Sequence, residues 1–237
     1  MFYCEERHMA MWLRLREGGM LAELIIDKNY YNKLDIEGFS KMMSSPSYCY
    51  KFYWLEAIVQ LISTNRIEAT YNEIINKMIV NAWFPVQEYH IHLSGIYGDG
   101  EVKDNLEKAV SRLYELTKLP SNANEIQIIN KLNEFSGDEK LHFYKTELTK
   151  NVPYKALSGF ANKGTEKVDL NSSAGRMIAY YNRLSGSDIL LPYTFSSEKS
   201  LKKVVVFNDG WIQMIQDNMV SILGWIKYEK AKWLQDN

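Results

Sequence analysis

The chain has 237 residues, of which 46% are hydrophobic, 13% aromatic and 24% charged, and its 28 basic and 29 acidic groups leave a net charge of −1. That content of Trp and Tyr excludes a disordered tail, and two cysteines exclude a disulfide scaffold. A single domain of this length buries about 70–75% of its unfolded-chain surface, enough for a sizeable core. No apolar run approaches the roughly 18 to 20 residues of a membrane helix, so no membrane partner is expected. The start carries Glu5 and Glu6 where a secretory signal has a basic leader, which points to a cytoplasmic chain with Cys4 and Cys49 as free thiols, Cys49 buried.

Periodicity predicts a mainly α, compact multi-helix domain with a minor β element near 203–207. Residues 1–34 read as an N-terminal extension, expected to be helical, ahead of a helical domain over 35–237. Ser45-Pro46 offers an N-cap and a first-turn proline, after which Tyr48, Phe52, Leu55, Val59 and Ile62 recur at helical spacing. Tyr53, Trp54, Ala57 and Leu61 cover the other faces, as in a helix buried all round. Thr70-Tyr71-Asn72-Glu73 is a capping box, and the helix it opens should stop at Pro85. A helix on Leu106, Val110, Leu113 and Leu116 is expected from about Lys103 to Leu119, before Pro120. Another starts near Asn124 on Ile126, Ile129, Leu132 and Phe135, and a further one lies on Leu141, Tyr144 and Leu148. Asn171 to Leu184 reads as helix, Lys203 to Phe207 as strand, and Trp211 to Trp233 as helix with a bend at Gly224. The stretches 151–170 and 185–200 read as loop.

Candidate chemistry is sparse. His90 and His92 are the one local pair of ligand-type side chains; in a strand they would share a face, whereas in a helix they would diverge by about 200°. They are weak metal candidates, because a site also needs a third ligand from His8, His142 or elsewhere. Glu101-Val102-Lys103 matches the Glu-x-Lys of some metal-dependent nucleases, but its setting beside Gly98-Asp99-Gly100 favours a solvated helix start. Serine hydrolase, phosphate-loop and dinucleotide motifs are missing from the sequence. Lys51 inside the aromatic cluster Tyr48 to Trp54 suggests either a base-stacking platform with a phosphate contact or, as the period favours, a core helix face. Basic residues gather between Lys140 and Arg183, and Lys150, Lys155, Lys163, Lys167, Arg176 and Arg183 are the candidates for touching nucleic-acid phosphates.

Three segments, in order, carry a resemblance. Ser47 to Ile58 followed by Met78 to Val86, then Lys150 to Ser158, then Leu191 to Phe195 with Trp211 onward, resemble the helical region that precedes the nuclease module in bacterial HNH endonuclease-domain proteins. The resemblance implies a domain that engages nucleic acid or regulates the nuclease. In that family the module itself is a ββα metal finger whose His activates water beside a divalent ion. Here no histidine follows an aspartate, and the sequence reaches Asn237 where the module is expected to lie ahead. The expectation is therefore a non-catalytic domain of a truncated or split nuclease, with DNA, a partner nuclease module or another protein as partner. No cofactor is expected in this chain, and a divalent metal only with a nuclease module elsewhere. Two rival readings are a metal-dependent nuclease whose site is assembled by the fold from distant carboxylates with His90 or His92, and a protein-interaction helical module.

Overall fold

The computed structural model describes residues 12–16, 19–43, 49–94, 98–163, 166–185 and 189–236. The fold is mainly α with a minor β element. Ser45, Pro46, Cys4 and His8 lie outside the described residues.

The segment expected to be a helical extension contains a hairpin instead: β1 (Trp12–Arg16) pairs antiparallel with β2 (Gly19–Glu23), Leu15 facing Met20. Ile26 and Leu34 are buried in the same core as the rest of the chain, so the boundary expected at 34/35 is not one of packing. After the short α1 (Ile36–Ser40) comes α2 (Tyr50–Ser63). Phe52, Tyr53, Trp54, Leu55, Ala57, Ile58, Val59 and Ile62 are all buried on it. At about 1.5–3 kcal/mol for each large apolar side chain removed from water, this all-round burial makes α2 the axis of the fold.

Around it, β3 (Glu68–Thr70) leads straight into α3 (Tyr71–Tyr89). The expected capping box is formed: Glu73 N–H donates to Thr70 Oγ1 at 3.1 Å, and Thr70 N–H donates to Glu73 Oε2 at 2.7 Å. Pro85 does not end the helix. Its ring costs one backbone hydrogen bond in the last turn, while Val86 is buried and Trp83 Nε1 donates 3.0 Å to Pro120 O, which holds that turn in place. The end comes at His90, left-handed at φ 51°, with its N–H capping Pro85 O.

Next come α4 (Asn105–Thr117), α5 (Glu125–Glu134) and α6 (Glu139–Thr149), close to the predicted positions. Two faces differ from expectation. On α5 the buried residues are Ile128 and Leu132, with Ile126 exposed, and on α6 the buried stripe is Leu141, Lys145 and Leu148. The stretch expected to be loop over 151–170 holds α7 (Val152–Lys155) and a 3-10 turn, Ala156–Phe160, that lies against α1. A Cβ added to Gly159 would fall 2.1 Å from Gly38 O, so the two backbones meet where only glycine fits.

α8 (Ala174–Ser185) buries Met177, Tyr180, Tyr181 and Leu184. β4 (Tyr193–Phe195), in the other stretch expected to be loop, and β5 (Val204–Phe207) then complete a three-stranded antiparallel sheet in the order β3-β5-β4, Ala69 facing Val205 and Tyr193 facing Phe207. Neither short strand carries a local signal; pairing with the predicted strand makes them. α9 (Asp209–Asp217) and α10 (Met219–Asp236) are separated at Asn218, not at Gly224, because the Asn218 side chain bonds back to Met214 O at 2.7 Å and ends α9. Among the described residues no helix is long and apolar enough to cross a membrane.

Candidate functional site

Four of the six basic candidates, Lys150, Lys163, Lys167 and Arg183, are engaged by carboxylates or a backbone carbonyl. Lys150 pairs with Glu147 a turn earlier, and Lys163 pairs with Asp35, the N-cap of α1. Lys167, Arg176 and Arg183 meet at a hollow of about 270 Å³, but Glu166 and Asp169 line it too. There Arg183 grips Glu166 through two bonds of 2.6 and 3.2 Å and holds that carboxyl below its ordinary range, while Lys167 Nζ donates to Asn162 O at 3.0 Å. Exposed ion pairs of this kind are worth little to stability, yet they do offset positive charge where a phosphate would approach.

Lys155, at the end of α7, is placed differently. α7 packs against α2, where Lys51 Nζ donates 2.9 Å to Ser158 Oγ in the turn that follows Lys155. Burial, with the neighbouring Lys155 charge adding to it, pushes the Lys51 ammonium down to about 8. Lys51, Lys155 and Ser158 are all half-buried on this ledge, and two ammonium groups with a hydroxyl are a donor set suited to a tetrahedral oxyanion. Lys51 and Lys155 are about a hundred residues apart, one on a helix face and the other in a stretch expected to be loop, and only the docking of α7 on α2 brings their elements together.

His90 and His92 are not brought to a common point. His90 is the exposed cap of α3, whereas His92 Nδ1 lies 2.8 Å from Glu107 Oε1. Among the described residues no group of three His, Cys, Asp or Glu side chains is arranged to hold a metal. His142, on α6, lines a separate hollow. In the Glu-x-Lys stretch, Glu101 pairs with Lys108 at 2.8 Å.

The buried carboxylates beside His92 were not singled out in the sequence. Asp104 caps α4, its Oδ1 accepting from Leu106 N–H and Glu107 N–H at 2.7 and 2.9 Å, while Oδ2 accepts from Ser94 Oγ at 2.7 Å. Burial nevertheless pushes Asp104 up to about 6, against the pull of those hydrogen bonds. Cys49 Sγ stands 3.9 Å from Oδ2, and burial with the adjacent carboxylate raises that thiol well above its ordinary value, so it is a poor nucleophile. Glu107 Oε2 accepts from Leu93 N–H at 2.9 Å. The cluster is a clasp that ties residues 92–94 to α4 and α2. Its one local signal was the Asp-x-x-Glu spacing of a helix start.

The three segments that carry the family resemblance meet in the core. Trp54 Nε1 donates to Tyr193 Oη at 3.0 Å, and Tyr193 Oη donates to Pro153 O at 2.6 Å. These segments thus contribute a structural relay. No family model, curated protein or solved structure matches the chain.

Proposed function

We infer that this chain is a nucleic-acid-engaging or regulatory helical domain of the kind that accompanies HNH nuclease modules, making phosphate contact without cutting. The observation that supports this reading is the ledge of Lys51, Lys155 and Ser158, formed where two of the three resembling segments touch. Its donors suit a phosphodiester backbone, and nothing in them reads base identity, so the contact positions the domain along DNA without choosing a sequence. Scission and its divalent ion belong, on this reading, to an HNH module, a partner of the domain described here. The cytoplasm is the matching compartment.

Fluorescence anisotropy with a labelled duplex at low salt tests the proposal. Binding should weaken as salt rises, and Lys155→Ala should weaken it for all sequences alike while lowering the salt slope by about one phosphate contact. An anisotropy that stays flat at low salt overturns the DNA reading, as does a Lys155→Ala, Lys51→Met double variant that binds like the parent.

A further inference from the structure

α6 turns a lysine toward the interior. Leu141, Lys145 and Leu148 form its buried stripe, so Lys145 occupies the position that this pattern gives to a leucine, and it is only 5% exposed. Its Nζ donates to Asn72 Oδ1, in the first turn of α3, at 2.5 Å. Glu73 of the same turn is engaged by Arg66 at 2.8 Å, and no carboxylate among the described residues offsets the Lys145 charge. A buried ammonium costs several kcal/mol unless an anion accompanies it, and one amide oxygen is weak compensation. Desolvation accordingly pushes Lys145 down to about 8.

The lysine opens on a hollow of about 380 Å³ between α6, the start of α3 and the 3-10 turn Ser200–Lys202. The ionisable side chains lining it are all basic: His142, Lys145 and Lys202. Ser136 adds a hydroxyl, and Asn72, with its oxygen taken by Lys145, keeps its amide N–H donors for another acceptor. Leu141 and Leu201 supply an apolar wall. Donors therefore reach the space from three elements, a geometry that a planar carboxylate meets with two oxygens and a tetrahedral phosphate meets on every side. An inorganic phosphate fills only part of the volume.

We propose that this hollow binds the phosphate of a small phosphomonoester, with Lys145 as the inner donor, Lys202 and His142 at the mouth, and the organic part of the ester against Leu141 and Leu201. The site is separate from the Lys51–Lys155 ledge and does not depend on that reading.

Titration calorimetry and thermal melting at pH 7 test it with three probes: inorganic phosphate, a nucleoside 5′-monophosphate, and an oligonucleotide with or without a 5′-phosphate. The monophosphate should bind and raise the melting temperature, more strongly than inorganic phosphate. A gain from the 5′-phosphate on the oligonucleotide would identify a nucleic-acid end as a source of the same group, and a response to the free nucleotide alone would identify a small molecule. Lys145→Met should weaken binding at least tenfold while melting at or above the parent temperature without ligand. Lys202→Glu should also weaken binding, and it decides the matter if Lys145→Met fails to fold. The proposal is overturned if no phosphate-bearing probe shifts the melting temperature at millimolar concentration, or if the folded variants bind like the parent, which is the result a purely structural lysine gives.

Discussion

The indole N–H of Trp54 donates to the phenol oxygen of Tyr193 at 3.0 Å, and through that phenol it is linked to the carbonyl of Pro153. Both aromatic side chains are fully buried, so neither polar group has water as an alternative. Tyr193→Phe keeps the ring and orphans a donor and an acceptor at once. Urea denaturation should show a loss of about 1–3 kcal/mol, and a variant as stable as the parent would mean that the relay contributes nothing.

The Asp104 carboxyl makes stability depend on pH in a direction opposite to most acids. It titrates at about 6 when folded and near 3.8 in a free chain, so between those values the folded chain holds the extra proton. Stability should therefore fall as pH rises from about 4 to about 6, by about 3 kcal/mol from this group, and stay lower above that. Asp104→Asn keeps an oxygen for the two backbone N–H groups and removes the charge. In denaturation curves taken across that range, the variant should lack this component of the slope.

Two glycines should respond in opposite ways to the same change. Gly159→Ala places a Cβ 2.1 Å from Gly38 O, and neither backbone can yield without shifting α1, so a loss of about 3 kcal/mol is expected. Gly175→Ala, in the first turn of α8 with nothing within 4 Å, should gain up to about 1 kcal/mol. Thermal melts of the two variants check both signs.

Glu56 of α2 is buried with Lys230 of α10 at 2.5 Å, and the same ammonium sits 4.2 Å above the Tyr53 ring. Lys230→Met leaves the carboxylate buried and alone, for an expected loss of about 3–5 kcal/mol. Adding Glu56→Leu should restore much of that loss. A double-mutant cycle that is additive would show that the pair is not coupled.

What the sequence disclosed follows the range of each signal. The Thr70–Glu73 box and the Asn124 helix start depend on residues within a turn of each other and are found where expected, and α2 buries the expected stripe from Phe52 to Ile62, although it starts at Tyr50 with Cys49 as N-cap and Tyr48 lies outside the described residues. The strand at Val204–Phe207 was visible from its valines, yet its partners β3 and β4 were not, since each is a strand only by virtue of lying beside it. The same limit applies to the ledge and the hollow. Lys51 meets Ser158 and Lys145 meets Asn72 through docking of helices far apart in the chain, and the only local hint was a lysine standing in a leucine's place on α6. Pro85 stays inside α3 despite its helix-breaking cost because Trp83 and Val86, which a local rule for proline leaves out, anchor the turn around it.

The all-round burial of α2 has a consequence for how the chain is made. Its walls include α9 and α10, and the sheet beside it is completed only by Val204–Phe207. A ribosome adding about 5–20 residues per second needs on the order of ten seconds to pass from Trp54 to those elements. For that interval the most apolar helix of the fold has emerged without its cover, and its faces stay open to aggregation until α9 and α10 arrive to close over it.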